Sequence, residues 1–191
     1  MEKPVTLRPP TASTLPQPPF TPPTTQWLSG TWNVTHSSLP MWKSKRNVQI
    51  TYRPLPSADG GTDQDTDRIE DIVTYQGLKS DKVKTVNGVD KASGPDVGAW
   101  DWRGKGWLMI ASSHWEVLGH GQRGADEWAV TYFAKTLFTP AGIDIYSRSN
   151  EGLSKDTLEA IRDALGRIDD PNVNQLAGEM FEVQQGAARL D

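Results

Sequence analysis

Residues 114–130 of the chain, HWEVLGHGQRGADEWAV, are the stretch that decides its fold. Gly119, Gly121 and Gly124 have the G-x-G-x-x-G spacing of a dinucleotide-binding loop, which requires a helix directly after the third glycine. The segment that follows, ADEWAVTYFAK, instead alternates with a period of two, which is typical of a β-strand. The stretch therefore predicts a strand-to-strand loop in which the glycines adopt positive φ angles, and no nucleotide site.

Short alternating runs bounded by Gly, Pro, Asp and Asn continue on both sides of this stretch. The predicted strands are GTWNVTH, NVQITYR, DRIEDIVTY, DKVKTV before an Asn87-Gly88 turn, GAWDWRG, WLMIASSHWEVL, EWAVTYFAKTLF and IDIYSR. Eight consecutive strands with short connections favour an all-β fold, an eight-stranded up-and-down antiparallel barrel, because closure removes exposed strand edges. Such a barrel holds packed side chains or one small ligand.

One helix is predicted after the barrel, in the segment LSKDTLEAIRDALGRI. Ser154 is suited to be its N-cap, and Asp156 lies near the positive end of the helix dipole. An apolar stripe runs along one face, formed by Leu158, Ile161, Leu165 and Ile168. The stripe indicates that this C-terminal helix packs on the outside of the barrel.

The N-terminal part of the chain has a different composition. Residues 1–26 are rich in Pro and Thr and form a predicted tail, which leaves residues 27–191 as the barrel domain with its helix. A disordered tail is the favoured interpretation, and its removal would then leave the melting temperature nearly unchanged. The alternative is a strap that folds over the barrel and is anchored by Phe20.

Composition narrows the kind of ligand. The 191 residues include no cysteine, which rules out disulfides, thiolate metal sites and a cysteine nucleophile. The net charge of −4 with no long basic patch argues against nucleic acid as a partner. His36, His114 and His120 lack metal-ligand spacing, so neither a metal nor a cofactor is expected. No apolar run is long enough for an integral membrane segment, and no signal peptide is recognisable, so we expect a cytoplasmic protein that binds a small molecule.

Eight tryptophans are many for this length, and they either fill a core or line a pocket. Strand alternation places one set of side chains inside the barrel: Val48, Ile50, Tyr52, Trp100, Trp102, Met109, Trp115, Trp128, Val130 and Tyr132. Within this set Trp100, Trp102, Met109, Trp115 and Trp128 are candidate ligand-binding residues, and Trp42 is a candidate at the open mouth. The alternative is a closed core that these rings simply fill.

Residues 27–168 resemble a known family. Gly30-Thr31-Trp32 in the first strand is similar to the G-x-W signature of lipocalins, which belong to the calycin superfamily. IYSR at the end of the eighth strand resembles the place where that family sets an Arg against the Trp, and SNEGLSKDTLEAIRDAL is similar to its C-terminal helix. The resemblance implies structural roles for Trp32 and Arg148, with the guanidinium stacked on the indole and capping nearby carbonyls.

The resemblance also implies a barrel that binds a small hydrophobic molecule. An alternative function is that of a lipocalin-fold cyclase or isomerase acting on a lipophilic biosynthetic intermediate. For that chemistry the candidate catalytic residues are Asp71, whose pKa burial would raise, with Tyr52 and Tyr132 as hydrogen-bond donors. Asp71 faces inward if its strand buries Ile69 and Val73, and faces water if Ile72 is the buried residue.

His114 and Glu116 form a second possible acid–base pair, on one face of the sixth strand. Their phase is opposite to that of Trp115, so a regular strand points both of them outward. The sequence carries no signal for the oligomeric state.

Overall fold

The computed structural model describes residues 4–56, 67–94, 98–106 and 111–186. Eight antiparallel strands pair in sequence order, and the eighth pairs with the first, so the predicted up-and-down barrel is confirmed. The strands are β1 Gly30–Ser37, β2 Lys45–Pro54, β3 Arg68–Gly77, β4 Val83–Ala92, β5 Ala99–Gly104, β6 Ser112–Arg123, β7 Asp126–Phe133 and β8 Gly142–Ser147.

The predicted helix is α2, Lys155–Gly166, whose N-cap Ser154 accepts a hydrogen bond from the backbone of Thr157. The described residues also form four short elements that were not predicted: α1 Thr25–Leu28, a 3-10 helix Pro40–Ser44, α3 Pro171–Gly178 and β9 Phe181–Glu182, which pairs with β1. Among the residues that the structure describes, no helix is long and apolar enough to cross a membrane.

The barrel base is closed by the pair that the family resemblance implies. The Arg148 guanidinium lies 3.6 Å from the ring centroid of Trp32, which is fully buried. Arg148 also donates hydrogen bonds to the carbonyl oxygens of Trp27 and Thr31. A planar cation stacked on an indole while its N–H groups cap backbone carbonyls ties the N-terminal helical turn to the end of β8.

The molecule has two apolar cores, one inside the barrel and one outside it. The inner core includes Trp32, Tyr52 and Trp115. The outer core lies between the barrel wall of β6, β7 and β8, the helices α2 and α3, and the N-terminal segment. Because this wall is covered on its outer side, all six residues of β8 are buried.

The outer core reverses the phase that alternation predicted for β7. Trp128, Val130 and Tyr132 pack in the outer core with Ile161 of α2, so their predicted inward orientation is wrong. Ala129 packs in the inner core instead, and Phe133 packs against it. One face of β7 lies in the inner core and the other is covered by the outer core, so both faces carry apolar residues. Alternation alone therefore does not show which face of the strand points to the barrel interior and which points to the helices.

Two glycine predictions are also corrected. Asn87-Gly88 is not a turn, because β4 continues through it to Ala92, and the indole of Trp102 lies against Gly88 where any larger side chain would clash. In the opening stretch only Gly124 has a positive φ, of 58°, in the tight turn between β6 and β7. Gly119 lies within β6, where Leu7 of the N-terminal segment packs directly on its backbone.

Residues 4–24, called the strap below, lie along the outside of the barrel, so the favoured disordered tail is wrong and the strap alternative describes the segment. Val5 and Leu7 are buried in the outer core. The Arg8 guanidinium lies 4.7 Å from the ring centroid of Phe20, the anchor that the strap alternative named. Pro and Thr kept this segment out of helices and inner strands, but they did not prevent it from packing as extended chain.

Candidate functional site

A cavity of about 1080 Å³ opens at the end of the barrel opposite Trp32 and Arg148. Its inner wall is formed by side chains of strands β2 to β8, and its rim by the β1–β2 and β7–β8 loops. Among its lining residues are Trp42, Ile50, Tyr52, Asp71, Val73, Tyr75, Val86, Trp102, Trp115, Phe133 and Asp144. The cavity therefore brings together Trp42, Trp102 and Trp115, three of the candidate ligand-binding residues, with two of the candidate catalytic ones.

The other candidate residues are placed differently. Trp100 is buried beside Trp115, with ring centroids 6.1 Å apart, and does not line the cavity. Trp128 and Tyr132 are in the outer core, on the far side of the barrel wall. Met109 lies outside the described residues.

A stack of rings forms the aromatic wall of the cavity. Trp115 is 1% exposed, and its ring lies nearly parallel to that of Tyr52 with centroids 5.4 Å apart. Phe133 also stacks on Trp115, with ring centroids 6.3 Å apart. These rings project from strands of the closed barrel, so the apolar surface is preformed and needs little ordering when a ligand enters.

Asp71 faces into this cavity, which decides between the two phases left open for β3. The residue is 7% exposed and pairs across the sheet with Tyr52. Among the described residues its Oδ1 has no hydrogen-bond partner. Burial, together with the nearby carboxyl of Asp90, raises the pKa of Asp71 well above its ordinary value. Burial therefore favours the protonated form of this carboxyl, which can donate a proton or a hydrogen bond.

Two further buried carboxyls, which the sequence analysis did not single out, lie inside the barrel. Asp90 accepts a hydrogen bond of 2.8 Å from the indole N–H of Trp115, and burial raises its pKa to about 7. Asp144 accepts hydrogen bonds from the Ser37 hydroxyl at 2.5 Å and the Trp42 indole at 3.4 Å. Burial raises the pKa of Asp144 to about 7 as well.

The sequence held a weak signal for these two residues. Asp90 has the same phase as Val86 and Gly88, but treating Asn87-Gly88 as a turn ended the strand before it. Asp144 alternates with Ile143 and Ile145, a pattern that is typical of an outward carboxyl. The two isoleucines face the outer core instead, which leaves Asp144 inside.

Glu116 points away from the barrel interior, as its phase predicted, whereas His114 is also among the residues that line the cavity. His114 is hydrogen-bonded to Asp101 at 2.8 Å and to Glu116 at 3.2 Å. Glu116 is buried beneath the strap, where Arg8 and Thr11 donate hydrogen bonds to it. Burial would raise the pKa of Glu116, but the hydrogen bonds from His114, Thr11 and Arg8 outweigh it and lower that pKa to about 2. The hydrogen bonds to Glu116 attach the strap to the barrel wall.

In the described part of the chain, no three His, Asp or Glu side chains are grouped as metal ligands.

The interior carboxyls predict a pH dependence of stability. A carboxyl whose pKa is raised by folding stabilises the fold below its unfolded pKa, and this contribution is lost as the pH rises through the folded value. With values of about 7 for Asp90 and Asp144, we expect the free energy of unfolding to fall between pH 5 and pH 8. The loss should be roughly 2 kcal/mol or more, since one pKa unit corresponds to about 1.4 kcal/mol. Urea titrations at a series of pH values and fixed ionic strength measure this change in the free energy of unfolding.

The control for this prediction is Asp144→Asn, which keeps the side-chain shape but cannot ionise. Its unfolding free energy should depend on pH less steeply than that of the wild type over the same interval. An identical slope in the two proteins would show that Asp144 does not titrate there.

No protein-family model matches the chain. The chain is 27% identical over 176 residues to botcinic acid biosynthesis cluster B protein 12 of Botryotinia fuckeliana. The aligned region covers 87% of this chain and 76% of that protein.

Solved structures resemble it along most of its length. Insecticyanin from the tobacco hornworm Manduca sexta superposes with a TM-score of 0.58 at 14% identity, covering 90% of this chain and 87% of that one. The amine-binding protein of Rhodnius prolixus, solved as a tryptamine complex, superposes with a TM-score of 0.55 at 13% identity, covering 86% and 85%. Together with the closed eight-stranded barrel, its Trp–Arg base and its outer helix, these likenesses show that the chain has a lipocalin fold.

Proposed function

We propose that this protein binds a small hydrophobic molecule in the barrel cavity. The observation that carries the proposal is the cavity itself, about 1080 Å³ in volume, open at one end and lined on one side by the stacked rings of Tyr52, Trp115 and Phe133. Cavities of this size, apolar with a few polar groups, are typical small-molecule sites. The tryptamine complex of the Rhodnius prolixus protein supports the proposal by showing a small ligand on the same fold.

Asp71 predicts a second property of the proposed ligand, a hydrogen-bond acceptor. Its acid form can donate a hydrogen bond from a wall that is mainly apolar and aromatic, so the complementary ligand carries an oxygen acceptor such as a carbonyl on a lipophilic skeleton. Without that acceptor, the buried carboxyl stays unpaired in the complex, which costs binding free energy. The site therefore prefers oxygenated lipophilic molecules over plain hydrocarbons of the same size.

Tryptophan fluorescence tests the binding proposal directly. A panel of lipophilic probes should quench or shift the emission, because Trp102 and Trp115 line the cavity. Native mass spectrometry of protein purified from its own source, followed by extraction, should identify a retained molecule. No spectral change across a chemically varied panel would contradict the proposal and favour a filled barrel.

A second candidate function is catalysis, as a cyclase or isomerase acting on a lipophilic biosynthetic intermediate. The specific observation in its favour is the buried acid Asp71 next to Tyr52 at the cavity wall, and the biosynthesis-cluster relative supports it. Such an enzyme holds a flexible substrate in a reactive conformation, and Asp71 polarises its carbonyl by sharing or donating a proton. Tyr132 takes no part in this mechanism, because it lies in the outer core.

Asp71→Asn separates the two candidates. In an enzyme, the change should leave affinity nearly intact and lower turnover by roughly a hundredfold or more, because the group acts in the transition state. Asp144→Asn is the matched comparison. Its effect on turnover should be smaller, because the Asp144 carboxyl already accepts hydrogen bonds from Ser37 and Trp42. The assay incubates protein with the biosynthetic precursor of the recovered ligand. A rate equal to that of the protein-free control would leave binding as the function.

A further inference from the structure

The exposed apolar side chains of this protein lie together at one end of the barrel. Among the described residues the large hydrophobic side chains that are exposed are Met41, Leu78, Val83, Leu137 and Phe138. Met41 belongs to the β1–β2 loop, Leu78 and Val83 flank the β3–β4 turn, and the last two belong to the β7–β8 loop. In an up-and-down barrel these three connections lie at the same end, which here is the mouth of the cavity.

The β7–β8 loop holds its two apolar side chains outward in a defined turn. Leu137 is 95% exposed and Phe138 is 86% exposed. The turn is closed by the Thr136 side chain, whose hydroxyl accepts hydrogen bonds from the backbone N–H groups of Phe138 and Thr139. The Thr136 backbone N–H also donates to the carbonyl oxygen of Thr139 at 2.9 Å. The two side chains therefore project into solvent from an ordered tip.

The same end carries positive charge, although the chain as a whole has a net charge of −4. The three connections hold one acidic residue, Asp81, which pairs with Arg46 at 2.7 Å. The same three connections hold four exposed lysines: Lys43, Lys79, Lys82 and Lys135. An apolar tip at the same end of the barrel as four exposed lysines is complementary to a surface that is anionic outside and apolar beneath.

We propose that the open end of the barrel docks on an anionic phospholipid bilayer, with Leu137 and Phe138 inserted below the headgroups and the lysines against the phosphates. The arrangement favours a bilayer over a second copy of the chain. Two copies joined through this end would bring the lysine clusters face to face, and like charges at an interface are repulsive. In this orientation the cavity mouth faces the bilayer, so a lipophilic ligand can pass between the two without crossing water.

Vesicle sedimentation tests the proposal with the full chain. Sucrose-loaded vesicles of phosphatidylcholine with about 30% phosphatidylserine should bind the protein, and pure phosphatidylcholine vesicles should bind it far less. Raising the salt to about 0.5 M should release it, since surface electrostatics are then screened within a few ångströms. Equal binding to both vesicle types, or none to either, would overturn the proposal.

Variants at the mouth and at the far end locate the contact. Leu137→Ser with Phe138→Ser should weaken binding at least roughly tenfold, because two exposed apolar side chains no longer insert. Lys79→Glu with Lys82→Glu should weaken it by a similar factor or more, and these residues do not line the cavity. The matched control is Lys91→Glu with Lys155→Glu, which makes the same charge change on exposed residues away from the mouth and should bind like the wild type.

Three outcomes distinguish this proposal from others. If the mouth variants change the oligomeric state in light scattering but not vesicle binding, the surface is an interface between copies, and the bilayer proposal is wrong. If the Lys79 and Lys82 variant still binds a lipophilic fluorescent probe but no longer binds vesicles, docking is separate from ligand binding. If none of the variants binds the probe, the proposed cavity function is contradicted. The comparison of the two vesicle types still tests the docking proposal by itself.

Discussion

Trp115→Ala is expected to weaken binding of a lipophilic ligand by roughly a hundredfold and to lower the free energy of unfolding by about 3–5 kcal/mol. Trp115 is 1% exposed, lines the cavity, and stacks with the rings of Tyr52 and Phe133. Its indole N–H also donates the hydrogen bond that Asp90 accepts, and among the described residues the other oxygen of Asp90 has no partner. The substitution thus removes a wall of the cavity and leaves a buried carboxyl without its donor.

Trp128→Ala is the matched control, because it removes the same side chain on the other side of the barrel wall. Trp128 is 4% exposed in the outer core, so this variant should also lose stability, but it should keep the ligand affinity of the wild type. Titration of tryptophan fluorescence or calorimetry, below the melting temperature of both variants, gives the affinities. Equal losses of affinity in the two variants would mean that general destabilisation, not the cavity wall, causes the effect.

Removal of residues 1–20 is expected to lower the melting temperature by roughly 10 °C, corresponding to about 3–5 kcal/mol for a chain of this size. The truncated protein loses the ion pair of 2.8 Å between Arg8 and Glu116, which are 3% and 1% exposed. It also loses the contact of Leu7 with Gly119 and exposes part of the outer core. A buried carboxylate that loses its cation is one of the costliest changes in a folded protein.

Single substitutions separate the charge effect from the packing effect. Arg8→Met keeps most of the side-chain volume but removes the guanidinium from Glu116, which keeps only its weaker ion-pair partner His114, and it should cost much of the stability lost on truncation. Combining Arg8→Met with Glu116→Leu should recover most of that loss, since a well-packed apolar pair replaces a buried ion pair with little penalty. An unchanged melting temperature after truncation would show that the strap contributes nothing to the fold.

The sequence by itself determined the barrel and its outer helix, and its resemblance to lipocalins implied the Trp–Arg base. The barrel and the helix have local signals: a period of two identifies a strand, and Ser154 caps the helix. The inward phase of Asp71 was one of two alternatives in the sequence. Its buried neighbours Ile69 and Tyr52 resolve it in the structure.

Only the tertiary structure decided which side of each apolar strand faces the cavity. Trp128 and Trp115 are equally apolar in sequence, but the helices and the strap cover the outer wall, so one tryptophan packs against Ile161 and the other lines the cavity. The strap itself was beyond local prediction, because the partner of Arg8 is Glu116, 108 residues later in the chain. Contacts over such distances leave no periodic signal, since they depend on which surfaces the closed barrel leaves exposed and which segment covers them.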